Sequence, residues 1–482
     1  MIFFIKFTKH LKPVPGKIIY AVLLFIYFIS FSASAQTYEN QYRQPLDAVL
    51  KMIESRFHIK LQYSDDMVKD RVILYAGWRM RSDLKTTLDG ILPLNDLVYY
   101  KVNDTLYNIE PFRFWQKPVE DGKQQLYNLI ASYTTLEEWE KRKADLRKCM
   151  LATLRLEKIP TRPPSLPVVT PKRLLNGYSV QNIAIETLPG LFVCGSLYRP
   201  LKAKGRSPLV LSPNGHFGGG RYRSDQQYRC ATLARMGAII FTYDLLGWGE
   251  SRLQFKDEDH YTSTAMTVQT LNSFRILDYL TSLKEVDTSL IGMTGASGGG
   301  SQTMLITALS DRIKVTVPVV MLSGHFAGGC PCESGLPIHF CGNGTNNPEI
   351  AAMAAPRPQL VISDDQDWTA NVPQIEFPYL QKVYEYYGKS AKVKNVHLLN
   401  EGHDYGFSKR KAMYAFLAEH LQLDINRIKN TLGEMDESLS SIEEESKLLV
   451  FGKNGENLPQ RAIKGIESLR TLIDAWLPMI YR

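Results

Sequence analysis

Ile291-Gly-Met-Thr-Gly-Ala-Ser-Gly-Gly-Gly-Ser301 sets Ser297 inside a G-x-S-x-G pentapeptide. Apolar and β-branched residues run into it from Leu290, and Gln302-Thr-Met-Leu-Ile-Thr-Ala-Leu309, a good helix sequence, runs out of it. Strand, sharp turn and helix are the surroundings in which this pattern means a nucleophile elbow. There the serine sits on a strained turn and flanking glycines keep side chains off the crowded backbone. Its hydroxyl then stands at the carboxyl edge of a sheet, beside a helix N-terminus that favours developing negative charge.

Working outward, strands are expected at Val180–Glu186, Leu191–Tyr198, Leu209–Ser212, Ala238–Tyr243, Leu290–Thr294, Val315–Val320, Gln359–Ser363 and Val393–Leu399. The first two form a hairpin around Pro189-Gly190. Helical stretches separate most of the others, as a mostly parallel sheet requires. Eight strands with Ser297 after the fifth match the α/β-hydrolase fold, placed here over residues 171–423. A helical, highly charged segment at 116–170 precedes it and ends in the proline-rich break Ile159-Pro-Thr-Arg-Pro-Pro-Ser-Leu-Pro167. The C-terminal extension, 424–482, reads as helical and is acidic through Glu434–Glu445.

A serine nucleophile needs a base within hydrogen-bond reach and a carboxylate to orient that base. In an α/β-hydrolase they follow in the order Ser, acid, His. Of nine histidines, His403 lies in the loop after the last strand, in Asn400-Glu-Gly-His-Asp-Tyr-Gly406, and is the expected base. The acid is sought after the seventh strand, where Asp364, Asp365 and Asp367 compete; the register favours Asp367. Glu333, after the sixth strand in Cys330-Pro-Cys-Glu-Ser-Gly335, is the alternative acid and otherwise a substrate contact. An oxyanion hole needs two N–H groups aimed at the tetrahedral oxygen. The backbones of Gly298 and of His216, in Pro213-Asn-Gly-His-Phe-Gly-Gly-Gly220, are the expected donors. Asp244 is expected to brace the site. The chain has no phosphate loop, H-E-x-x-H motif or nucleotide fingerprint, so neither a cofactor nor a bound metal is expected.

Lys6, Lys9, Lys12 and Lys17 precede an apolar run from Ile18 to Phe31, and Ala33-Ser34-Ala35 offers a cleavage site. Residues 1–35 therefore read as an export signal, and the mature chain is expected in a periplasm or outside the cell without a membrane span. Such a compartment permits disulfides, and the Cys330-Pro-Cys332 to Cys341 cluster is the expected place for one. A metal site there with His325 and His339 is the lesser reading, because the cysteines match no standard zinc spacing. Cys194 reads as a small core residue. The net charge of +8 is spread through the chain rather than gathered into a stripe, which argues against nucleic acid and suits acidic substrates.

Residues 36–115 read as a small accessory domain with the order α-β-β-α-β-β and a hairpin at Asn103-Asp104. With Tyr63-Ser-Asp-Asp-Met-Val-Lys-Asp-Arg-Val72 and Asn103-Asp-Thr-Leu-Tyr-Asn-Ile109, this unit resembles the short N-terminal domain of secretins and TonB-dependent receptors, which implies protein contacts. From about Leu136 to Leu421 the chain resembles the exported bacterial carbohydrate esterases of the acetylxylan-esterase kind. The segments that carry this are Gly295-Ala-Ser-Gly-Gly-Gly-Ser-Gln-Thr303, Gly329-Cys-Pro-Cys-Glu-Ser-Gly335, Thr345-Asn-Asn-Pro-Glu-Ile350, Ala355-Pro-Arg-Pro358 and Glu401-Gly-His-Asp-Tyr-Gly406. Within that group the whole architecture is similar to the Bacteroides-type pectin methylesterases. The resemblance implies hydrolysis of methyl esters on galacturonic acid in plant cell-wall pectin by Ser297, Asp367 and His403. Acetyl or glucuronoyl ester hydrolysis on another polysaccharide is the alternative. Arg221, Arg223 and Arg252 are then candidate cations for neighbouring galacturonates, and Trp248 and Trp368 candidate stacking surfaces for sugar rings. His339 is a further candidate contact.

Overall fold

The computed structural model describes residues 43–480, apart from residues 75, 113–116, 204, 327 and 329. The expected export signal lies outside the described residues. The chain divides into two compact units between Pro111 and Phe112.

In the first unit, β1 (Arg43–Pro45) pairs antiparallel with β3 (Val72–Leu74). A second sheet has the order β2 (Lys60–Gln62), β5 (Leu106–Pro111), β4 (Leu97–Lys101). Helix Leu46–Phe57 places Leu46, Val49, Leu50 and Ile53 on one face, all fully buried, as apolar residues at helical spacing must be. Asn103 Oδ1 accepts from the Thr105 and Leu106 amides at 3.0 and 2.9 Å, closing the expected turn between β4 and β5.

The second unit carries a ten-stranded sheet. Its strands are β6 (Val168–Val169), β7 (Arg173–Leu174), β8 (Tyr178–Leu188), β9 (Leu191–Pro200), β10 (Ser207–Pro213), β11 (Ile239–Tyr243), β12 (Val286–Ala296), β13 (Val315–Val319), β14 (Gln359–Asp364) and β15 (Val393–Leu398). The order is β15-β14-β13-β12-β10-β11-β9-β8-β6, with β7 also on β8. From β11 to β15 the pairs are parallel; β8 and β9 are antiparallel, as their hairpin demands. The eight expected strands are β8 to β15. The remaining two span two residues each, too short to leave a periodicity. Every residue of β11 and β13 is buried, because helices cover both faces of a parallel sheet. Val315, Val317 and Val319 are at most 3% exposed; burying each contributes about 1.5–3 kcal/mol.

Two expectations are corrected. Cys341 pairs with Cys149, 192 residues away, and Cys330 and Cys332 are free thiols. Helix Leu136–Thr153, which carries Cys149, packs against the 338–343 turn that carries Cys341, so the fold rather than sequence proximity selects the partner. The extension beyond 424 is mostly irregular, with single turns at Ile425–Ile428 and Glu445–Leu448 before helix Ile466–Ile480. It is held by burial of Leu448, Val450 and Phe451 and by Val450 and Phe451 amides donating to Glu250 Oε1 at 2.7 and 2.6 Å. Among the described residues, no helix is long and apolar enough to cross a membrane.

Candidate active site

Ser297 follows β12 and precedes helix Gly298–Leu309. Its φ of 55° and ψ of −125° put a non-glycine residue in left-handed backbone. Such a conformation persists only where its surroundings impose it. They do: a Cβ at Gly299 would lie 2.5 Å from the Pro213 carbonyl, and one at Gly298 would lie 2.5 Å from His216 Cε1. Strand β10, the turn and the helix can therefore meet only through glycine. The Ser297 amide donates to the Val319 carbonyl at 3.1 Å, fastening the turn to the end of β13.

Beyond β14 and β15 the chain brings together a second pair. His403 Nδ1 and Asp367 Oδ2 are 2.7 Å apart. The Thr369 amide and hydroxyl both donate to Asp367 Oδ1. Burial alone raises the Asp367 carboxyl, but the His403 and Thr369 hydrogen bonds outweigh it and hold the group below the usual carboxylate range. The two other aspartates of this loop are engaged elsewhere. Asp364 lies 3.0 Å from Lys409 Nζ with both side chains fully buried, and Asp365 Oδ1 accepts from the Asn400 amide at 2.8 Å. Trp368 stacks on Phe326 with ring centroids 4.0 Å apart and lies 4.2 Å from the His403 ring.

Ser297 Oγ donates to Glu333 Oε1 at 3.0 Å, and the same oxygen lies 3.0 Å from His216 Nδ1. Among the described residues, His403 has no hydrogen bond to Ser297. Glu333, the alternative orienting acid, is thus occupied by the serine and by a histidine of the β10 loop, while Asp367 meets the His403 ring. His216 was expected for its backbone N–H; its side chain is what stands out, seated against Gly298 and facing His260. Trp248 packs on both imidazoles at 5.2 and 4.6 Å.

The three arginines part company. Arg223 lies over the Phe217 ring at 4.9 Å, and that ring is 5.5 Å from His403; its Nε donates to Asp225 at 2.8 Å. Arg252 is a surface residue in a forked pair with Asp257 at 2.8 and 2.7 Å. Arg221 is corrected as a substrate contact, because its side chain is 0% exposed. It donates to Asp244 Oδ1 at 2.9 Å, to Glu250, to Ser196 Oγ at 3.0 Å and to the Leu448 carbonyl. A charge so enclosed braces the loops that follow β10 and β11 against the C-terminal extension, and Asp244 does the bracing expected of it. His339 faces Asn347 Oδ1 at 3.2 Å, and burial pushes its pKa down to about 4. His260 carries no motif; only its folded neighbours single it out.

A family model described as acetyl xylan esterase (AXE1) matches residues 175–328. Among solved structures, the methylesterase BT1017 is 44% identical, with a TM-score of 0.71 and an alignment covering 92% of this chain and 99% of that one. The chain belongs to that methylesterase's family of carbohydrate esterases. YtaP of Bacillus subtilis (strain 168), described as a hydrolase, is 27% identical over 205 residues, or 37% of this chain. The match spans 64% of that curated relative, less than two thirds of its length. The chain is accordingly a carboxylic ester hydrolase with an α/β-hydrolase fold.

Proposed function

We propose that the chain hydrolyses methyl esters of galacturonic acid in pectin, with Ser297 as nucleophile, His403 as base and Asp367 orienting it. The observation that carries this reading is the 2.7 Å His403–Asp367 pair on the loops after β15 and β14, beyond the same sheet edge as the strained Ser297 turn. Ser297 Oγ attacks the ester carbonyl while its proton passes to His403 Nε2. The tetrahedral oxyanion is held by the Gly298 and His216 backbone N–H groups and by the N-terminus of helix Gly298–Leu309. Collapse expels methanol, protonated by His403, and leaves the uronate acyl group on Ser297. Water deprotonated by His403 then releases the carboxylate and restores the serine. In the resting arrangement the serine rests on Glu333, so a rotation about the Ser297 side chain precedes attack.

Arg223, beside Phe217 at the His403 edge, supports recognition of a neighbouring galacturonate, and Trp368 supports stacking on a sugar ring. The acetyl xylan esterase family match favours a second reading, removal of acetyl groups from a polysaccharide. Methanol and acetate release from matched panels of pectins and xylans separates the two. Methanol from pectin, lost in Ser297→Ala, is expected; acetate without methanol overturns the methyl-ester reading. The chain acts after export, which the Cys149–Cys341 disulfide supports. Residues 36–115 serve as an accessory domain for protein contact, in keeping with their resemblance to the secretin short domain.

A further inference from the structure

Four metal-ligating side chains from three separate loops converge beside the serine turn. They are His216 after β10, His260 in the Asp257–Tyr261 turn, and Cys330 and Cys332 ahead of Glu333. One donor atom from each lies within 4.8 Å of all the others. His216 Nε2 is 2.8 Å from His260 Nε2, 3.5 Å from Cys330 Sγ and 3.2 Å from Cys332 Sγ, and Cys332 Sγ is 3.4 Å from His260 Nε2. For zinc in a tetrahedron, Zn–N near 2.0–2.1 Å and Zn–S near 2.3 Å set ligand-to-ligand edges of roughly 3.3–3.8 Å. The cluster already has about that size.

Hydrogen bonding at the far side of each imidazole turns its Nε2 towards the other ligands. His260 Nδ1 is 2.8 Å from the Leu246 carbonyl, which only accepts, so Nδ1 carries a proton and Nε2 is the nitrogen turned to the cluster. His216 Nδ1 faces the Glu333 carboxylate at 3.0 Å, which assigns its proton in the same way. The two Nε2 atoms then face each other across 2.8 Å, with two unbridged cysteine sulfurs beside them. A cation between them uses all four donors. A carboxylate or carbonyl behind a ligating histidine is also the usual outer partner of a metal-bound imidazole.

We propose that His216, His260, Cys330 and Cys332 bind one zinc-class divalent ion as a closed tetrahedral site. Two thiolates and two imidazoles suit a borderline-soft d10 cation rather than calcium or magnesium. With four protein ligands no position is open to substrate, so the ion is structural. It ties the loop bearing Glu333 to the loop bearing His216, and so sets the carboxylate on which Ser297 rests. His325 and His339 take no part: His325 Nδ1 pairs with Ser323 Oγ at 3.0 Å, and His339 faces Asn347.

Metal content tests this independently of which ester is cleaved. The full-length mature protein, expressed in zinc-supplemented medium and desalted, is expected to hold about one zinc per chain by elemental analysis. Cobalt(II) in its place should show sulfur-to-metal charge transfer and intense tetrahedral ligand-field bands. Cys332→Ser and His260→Ala should each lower occupancy roughly tenfold or more after chelator challenge, whereas Cys149→Ser should keep the ion. Wild-type protein that stays metal-free after incubation with zinc(II), whether Cys330 and Cys332 titrate as free thiols or the intact mass reveals a second disulfide, overturns the proposal. That measurement needs no variant to fold.

Discussion

Replacing Arg221 by methionine isolates what the buried cation does. The side chain is fully enclosed, and its two carboxylate partners, Asp244 and Glu250, are 1% and 2% exposed. Methionine fills much of the same space but leaves two buried anions facing each other. Breaking a buried pair in this way costs about 3–5 kcal/mol. The backbone donors that remain, Glu250 N to Asp244 and the Val450 and Phe451 amides to Glu250, keep the loss from growing further. At about 2 °C per kcal/mol for a domain of this size, the melting temperature should fall by roughly 6–10 °C. The pH dependence carries a sign. Burial, ahead of the Glu250 charge and against Arg221, already pushes Asp244 up to about 6, above its unfolded value. A carboxyl raised on folding destabilises the fold above its folded pKa, and that penalty fades as pH falls through it. Without Arg221 the Asp244 carboxyl rises further, so the deficit against wild type should be largest on the alkaline side, shrink as pH falls towards ~6, and stay level below it. Differential scanning fluorimetry across that range, paired with steady-state hydrolysis measured well below the transition, reads both effects. An unchanged melting temperature accompanied by a raised KM would refute the argument and return Arg221 to the substrate.

Three further outcomes follow from the geometry. Asp367→Asn should lower kcat by about 10⁴-fold with KM nearly unchanged, since the amide disturbs the tautomer of His403; equal loss from Asp365→Asn would displace Asp367 from its role. Cys149→Ser opens a link across 192 residues and should cost about 2–4 kcal/mol in denaturant unfolding, a reading undone by an unaltered midpoint. Gly298→Ala would set a Cβ 2.5 Å from the His216 ring, so the ring and the Glu333 carboxylate behind it must shift. Turnover should drop about 10²-fold, as misplacement by an ångström does; kinetics indistinguishable from wild type would show that the ring yields freely.

Much of the site could be read from local pattern. The strand, glycine turn and helix around Ser297 are contiguous in the chain, and the loops bearing Asp367 and His403 are located by strand order alone. Of the three aspartates after β14, Asp367 meets His403 at 2.7 Å, while Lys409 and the Asn400 amide engage Asp364 and Asp365. What local pattern misjudged has a common character. Arg221 sits in a glycine-rich loop that looks exposed until Asp244, Glu250 and the C-terminal extension close over it. Cys341 has two cysteines within eleven residues, yet bonds a helix far upstream. His260 is unremarked until His216, Cys330 and Cys332 surround it.

The sequence by itself determined the sheet, the elbow and the order of the triad candidates, because hydrophobic runs, glycine steric freedom and chain direction act over a few neighbouring residues. Only the tertiary structure decided which charges are enclosed, which thiols are bridged and which imidazoles face one another. Those depend on distances between segments tens to hundreds of residues apart, and such distances exist only once the sheet has brought its loops to one edge.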